Sequence, residues 1–153
     1  MIYIFPKINN PPILTEDTKT LKLGKCFKFD FEKGQHIIVD GKFVECDFQE
    51  NIQHFIQVVL RTKINTFKVY IEDKNEDFGL SIYNYIGNKV YHKGFILSET
   101  KREITEQLLN HPFIKDVDNF NFDFESTSLT ITFNCYLQND EVLNIKEAID
   151  IEL

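Results

Sequence analysis

From Leu129 to Leu137 the chain places an apolar residue at every second position, Leu129, Ile131, Phe133, Cys135 and Leu137, with Thr130, Thr132, Asn134 and Tyr136 between them. A period of two puts all five on one side of a pleated strand, so the segment reads as a half-buried strand and not as an amphipathic helix. The flanks repeat the pattern. Phe120, Phe122 and Phe124 alternate with polar residues, Glu125–Ser128 makes a turn, Gln138–Glu141 turns back, and a last strand from Val142 carries Leu143, Asn144, Ile145, Ile149 and Ile151. Such a run predicts an antiparallel meander with one face packed and one face wet. Its final strand, ending IKEAIDIEL, leaves backbone groups for another chain to pair with. An ordinary edge guarded by Lys146, Glu147, Asp150 and Glu152 fits the same pattern.

The packed face needs a cover. Asp47 is a good N-cap, Glu50 stands three residues on as in a capping box, and Phe48, Ile52, Phe55, Ile56, Val59 and Leu60 recur at helical spacing. A short helix is expected in GLSIYNYIG, between Gly79 and Gly87, with Leu80, Tyr83 and Ile86 on one face. Another is expected from a Ser98 cap to about Asn110, ended by His111-Pro112. Between Cys26 and Asp47 two or three short strands turn at Asp40-Gly41, and Phe67–Glu72 reads as a strand before the polar loop Asp73–Asp77. Pro6 and Pro11-Pro12 make residues 1–25 an extended arm. The expected fold is a single α+β domain over 26–153, an antiparallel β-meander with two to three helices.

At 153 residues the chain suits one domain. Acidic residues outnumber basic ones by 24 to 17, a net charge of -7, and no basic cluster exists to neutralise phosphates, which argues against nucleic acid as a partner. No run of about 18 apolar residues is present to cross a membrane. The N-terminus lacks a signal-peptide pattern, so cytoplasmic residence is the expectation. Cys26, Cys46 and Cys135 are widely spaced and form no CxxC, encoding neither a disulfide framework nor a zinc site; reduced thiols are expected.

Asp77-Phe78-Gly79 matches the magnesium-binding tripeptide of kinases, but no glycine-rich loop, strand lysine or upstream catalytic aspartate accompanies it. His36, His54, His92 and His111 are scattered, with no HExxH and no GxSxG nearby. The acidic pairs Glu45 and Asp47, Glu72 and Asp73, and Glu76 and Asp77 could be imagined as a glycosidase couple. The chain has no tryptophan to floor a sugar cleft, however, and solvated acidic loops explain the pairs. No catalytic residue, metal ligand or cofactor is assigned, and a non-enzyme is expected.

The ordered motifs resemble a known family. The stretch from Val39 to Gly87 is similar to the central signature of XkdS-like baseplate proteins of contractile phage tails: Asp40-Gly41, the helix start at Asp47, Leu60 and Thr62, Phe67 with Tyr70, then Phe78-Gly79 through Ile86-Gly87. A helix, Pro112–Val117 and a meander follow in the family's order, extending the resemblance from about Phe27 to the end. Members are related to the sheath initiator, or "lysozyme-like" baseplate wedge protein, of phage tails and R-type bacteriocins.

The resemblance implies a structural part with six copies around the tail. Its partners would be the sheath, the baseplate wedge, and the tube or tube initiator, with assembly in the bacterial cytoplasm and residence in the baseplate. It further implies sheath pairing through Val142, Leu143, Asn144, Ile145, Ile149 and Ile151, and wedge contact through Arg61, Thr62, Lys63, Asp77, Phe78 and Gly79. Where relatives carry a Glu-Pro-Arg loop, this chain reads Arg61-Thr62-Lys63-Ile64-Asn65-Thr66. The alternatives are a peptidoglycan-degrading muramidase and a generic cytosolic protein-binding domain; phage and bacteriocin origins are not distinguished.

Overall fold

The computed structural model describes residues 23–66, 78–86 and 90–150. In chain order they form β1 (Phe29–Asp30), β2 (Gln35–His36), β3 (Ile38–Val39), β4 (Lys42–Phe43), α1 (Phe48–Arg61), α2 (Ile82–Tyr85), α3 (Lys93–Leu109), β5 (Ile114–Phe124), β6 (Ser128–Leu137) and β7 (Val142–Asp150). The architecture is α+β, with the three long strands ordered β5-β6-β7, all antiparallel. The expected arm up to residue 22, the strand Phe67–Glu72, the loop Asp73–Asp77 and Ile151 lie outside the described residues.

β6 behaves as its alternation requires. Leu129, Ile131, Phe133, Cys135 and Leu137 are fully buried, and the register sets Ile149, Ile145 and Leu143 of β7 opposite Leu129, Phe133 and Cys135. α1 lies over β7 and α3 over β5, so both helices cover one face of the sheet. The other face carries Asp118, Asn134 and Asn144 in register and stays polar. β5 starts earlier than Phe120 because Ile114 and Val117 are also buried, and two irregularities, at Ile114–Asp116 and Asp118–Asn121, break its alternation. Asn119, with φ +56°, sits in the second.

α1 begins at the expected capping box: the Glu50 amide donates to the Asp47 carboxylate at 2.8 Å, and the Asp47 amide donates to Glu50 at 2.9 Å. Ile52, Ile56, Val59 and Leu60 face the core. α3 departs from expectation, starting at Lys93 rather than at Ser98. His92 is the N-cap, its Nδ1 accepting from the Gly94 amide at 3.2 Å, and Ser98 instead donates back to the Phe95 carbonyl at 2.9 Å. α2 spans one turn only, and Ile82 rather than Tyr83 is its fully buried residue. At the N-terminal end Asp40 and Gly41, at φ +50° and +73°, close the expected two-residue hairpin. Leu23 packs on the core and the Gly24 carbonyl accepts from Asn51 at 2.7 Å, so the last residues of the expected arm are tied to α1.

Candidate assembly interface

The two edges of the sheet differ. On β5 the two irregularities interrupt the outer row of backbone groups, and the amide of Val117 is taken by the Asp116 carboxylate at 2.8 Å. Bulges and local capping are how proteins blunt an edge. On β7 the register runs without a shift from Val142 to Asp150. The hydrogen bond from the Leu137 amide to the Glu141 carbonyl, 2.9 Å, sets the phase of the ladder. Every second residue from Glu141 therefore bonds inward to β6, and the alternate residues aim their amides and carbonyls outward. Those are Val142, Asn144, Lys146, Ala148 and Asp150, all exposed.

Of the residues expected to pair with sheath, Leu143, Ile145 and Ile149 are buried beneath α1 and serve the core. Val142 and Asn144 lie on the outer edge of β7, which no other described strand pairs with, whereas Ile151 falls outside the described residues. Lys146, Ala148 and Asp150 share that edge; the sequence offered Lys146 and Asp150 only as guards of an ordinary edge, although the alternation of Leu143, Ile145 and Ile149 puts all three on the other face.

The second region is a joint at the end of α1. Thr62 is buried and closes the helix, donating from Oγ1 to the Val58 carbonyl at 2.6 Å and from its amide to Val59 at 3.3 Å. The Tyr83 hydroxyl reaches the next carbonyl, that of Leu60, at 2.6 Å, and burial pushes that hydroxyl's pKa up to about 12. The Thr62 carbonyl accepts from the Leu80 amide at 2.8 Å, pairing Lys63 with Leu80 in a parallel bridge. Gly79 sits in this joint at φ +104°, its amide donating to Gln107 Oε1 at 2.9 Å and its carbonyl accepting from Gln107 Nε2. Only glycine adopts that backbone without strain.

The fold thus brings Thr62 and Lys63 beside the segment Phe78–Leu80. Beside them opens a groove of about 530 Å³ lined by Phe55, Ile64, Phe78, Glu103, Gln107 and His111, among others. Arg61 is committed elsewhere: it donates to Glu147 at 2.9 Å and lies 4.8 Å over the Phe31 ring. Asp77 lies outside the described residues.

The arrangement offers little to acid–base chemistry. Asp47 caps α1, Glu45 pairs with Lys25 at 3.4 Å, Glu103 accepts from the Ser81 amide at 3.0 Å, and Arg102 bridges Glu99 and Glu106. Asp30, Glu50, Glu99 and Glu141 are held below the usual carboxylate range by the hydrogen bonds they accept, the opposite of what a general acid requires. Glu72, Asp73 and Glu76 lie outside the described residues. No described helix is long and apolar enough to cross a membrane.

No curated protein matches the chain. The family model for the contractile injection system sheath initiator matches residues 25–142, from the segment before β1 to the start of β7. The chain belongs to that family, the sheath initiators of contractile injection systems, which are structural components of those machines.

Proposed function

We propose that this protein starts the sheath of a contractile injection particle by accepting a sheath strand along the outer edge of β7, while the Thr62–Gly79 joint and its groove face wedge and tube proteins. Six copies around the tail would present six such edges to the first sheath ring. The observation that carries this reading is the asymmetry of the sheet: β5 is blunted by two irregularities and by Asp116, while β7 offers an unbroken row of outward groups. Strand addition takes its affinity from that row and asks little of the side chains. Leu143, Ile145 and Ile149 contribute by holding the strand flat on α1. In the baseplate the open edge is covered on assembly, which removes the aggregation hazard it poses in the free chain.

Deleting β7 would strip three buried residues and unfold the domain, so it cannot test the idea. Proline at Asn144 and Ala148 removes outward amides only, and proline is tolerated on an edge whose N–H faces solvent. With Asn144→Pro and Ala148→Pro together, circular dichroism should show a folded chain, and tube and baseplate should still assemble without sheath. Normal sheaths on particles carrying a folded double variant would refute the proposal.

A further inference from the structure

Cys26 and Cys46, far apart in sequence, face one another across an antiparallel contact. The Phe27–Glu45 bridge sets them directly opposite, and the Cys46 amide donates to the Cys26 carbonyl at 2.8 Å. Residues paired in this way project their side chains to the same side, with Cα atoms about 5.5 Å apart, within the roughly 4.4–6.8 Å that a disulfide spans. Both are reduced and half-buried, whereas Cys135 is fully buried in β6. The Cys26 sulfur makes a long contact, 3.8 Å, to the Phe27 carbonyl. Burial, and then the adjoining Cys26 thiol, push the Cys46 thiol up to about 11.

The surroundings hold the pair in place. On one side Leu23 packs on the core, Gly24 is bonded to Asn51, and the Lys28 amide donates to the Val44 carbonyl at 2.8 Å. On the other, Asp47 follows Cys46 directly and is fixed as the cap of α1. Neither backbone has to travel for the sulfurs to meet.

We infer that Cys26 and Cys46 form a modification site, a dithiol that a two-electron oxidant of the peroxide class converts into an intrachain disulfide, stapling the segment before β1 to the start of α1. One thiol, as its thiolate, attacks a peroxide oxygen; the O–O bond breaks, and hydroxide leaves and takes up a proton as water. The second sulfur attacks the resulting sulfenic acid, the S–S bond forms as the S–O bond breaks, and the departing hydroxide takes the second thiol's proton. Two thiols and one hydrogen peroxide yield one disulfide and two waters. Cellular thiol reductants hold such a pair reduced, and sustained oxidant staples it.

The test uses the full chain with hydrogen peroxide, followed by alkylation in denaturant and intact-mass analysis. The expected product is a monomer lighter by about 2 Da with one alkylatable thiol, Cys135, and a linked peptide pair containing Cys26 and Cys46. Dithiothreitol should reverse it. The oxidised chain should melt higher by about 5 °C, since the staple closes a loop in the unfolded chain. Cys26→Ala and Cys46→Ala variants should show neither the mass loss nor the shift. Three alkylatable thiols after treatment, a disulfide between two chains, or sulfinic acid as the main product would each overturn the inference.

Discussion

Gly79 packs against Thr62 with no room for a side chain: a Cβ on Gly79 would stand 2.6 Å from the Thr62 carbonyl oxygen and 3.0 Å from its Cγ2. This contact joins the end of α1 to the segment entering α2, and both residues belong to the family-like signature. The joint is backbone against backbone, so it cannot yield by rotating a side chain. Gly79→Ala should cost about 2–4 kcal/mol, from left-handed strain plus the clash. Gly24→Ala, where a Cβ meets nothing within 4 Å, should be nearly neutral. Urea unfolding of the two variants checks this; near-equal midpoints would mean the joint is soft.

Glu147 turns its carboxylate toward α1 from the outermost strand, where Gln57 Nε2 reaches it at 2.7 Å and Arg61 at 2.9 Å. Arg61→Met strands a half-buried negative charge and loses the stacking on Phe31. The pair is partly solvated, so the expected loss is about 1–2 kcal/mol. Glu147→Gln keeps an acceptor for Arg61 and can donate its amide to Gln57 once the Gln57 amide turns over, and should cost less. Arg61→Met with Glu147→Leu should recover much of the loss, because no charge is left unpaired. A double-mutant cycle in urea that comes out additive would show that the two residues act separately.

Tyr83 caps a carbonyl that the end of α1 leaves open. Tyr83→Phe orphans the Leu60 carbonyl in the core and should cost about 1–2 kcal/mol. The pH sign follows from the raised pKa. The hydroxyl's contribution is fully present below its ordinary 10.0 and is lost as pH rises from there through about 12. Wild type should therefore lose stability between about pH 10 and 12 by more than Tyr83→Phe does, as measured by denaturant titration at each pH.

How much of this was legible in the sequence depends on how local each signal is. The alternation of Leu129–Leu137 and the Asp47–Glu50 box are decided within a few residues, and both stand in the fold as read. The start of α3 was hidden because histidine is an uncommon cap and Gly94 lies in the first turn, where propensity argues against helix. The start of β5 was hidden because two irregularities, between Ile114 and Asp116 and between Asp118 and Asn121, break its period. In IKEAIDI a strict period of two places Glu147 with Ile145 and Ile149, so its inward position could be read, but its partner Arg61, a whole domain earlier, could not. Separation along the chain, shorter but still beyond any local pattern, also hid the meeting of Thr62 with Gly79 and of Cys26 with Cys46. Pairing between remote segments leaves no periodic trace, and for Thr62 and Gly79 only the spacing shared with a family pointed to a common role.

Acid should weaken the fold in two stages. His111 sits half-buried against Phe55, ring centroids 4.6 Å apart, and its Nδ1 accepts from the Phe113 amide at 3.3 Å. Burial holds its pKa below the ordinary 6.5, and burial followed by the nearby His36 does the same for His54, which packs on Phe31. For a histidine whose folded pKa is lowered, the unfolded chain takes up protons first. The stability these rings contribute is present above 6.5 and falls as pH drops below it toward the lowered values. The carboxylates of Asp30, Glu50, Glu99 and Glu141, all held low, fail only further down, below 4.5. Melting temperature should therefore decline from about pH 7 to 5 and fall again under more acid conditions. His111→Gln should reduce the first stage to the part that His54 contributes and leave the second unchanged, since it removes one titrating ring but none of the carboxylate partners. A melting temperature that stays constant between about pH 7 and 5 in wild type would show that neither ring changes charge at a cost to the fold.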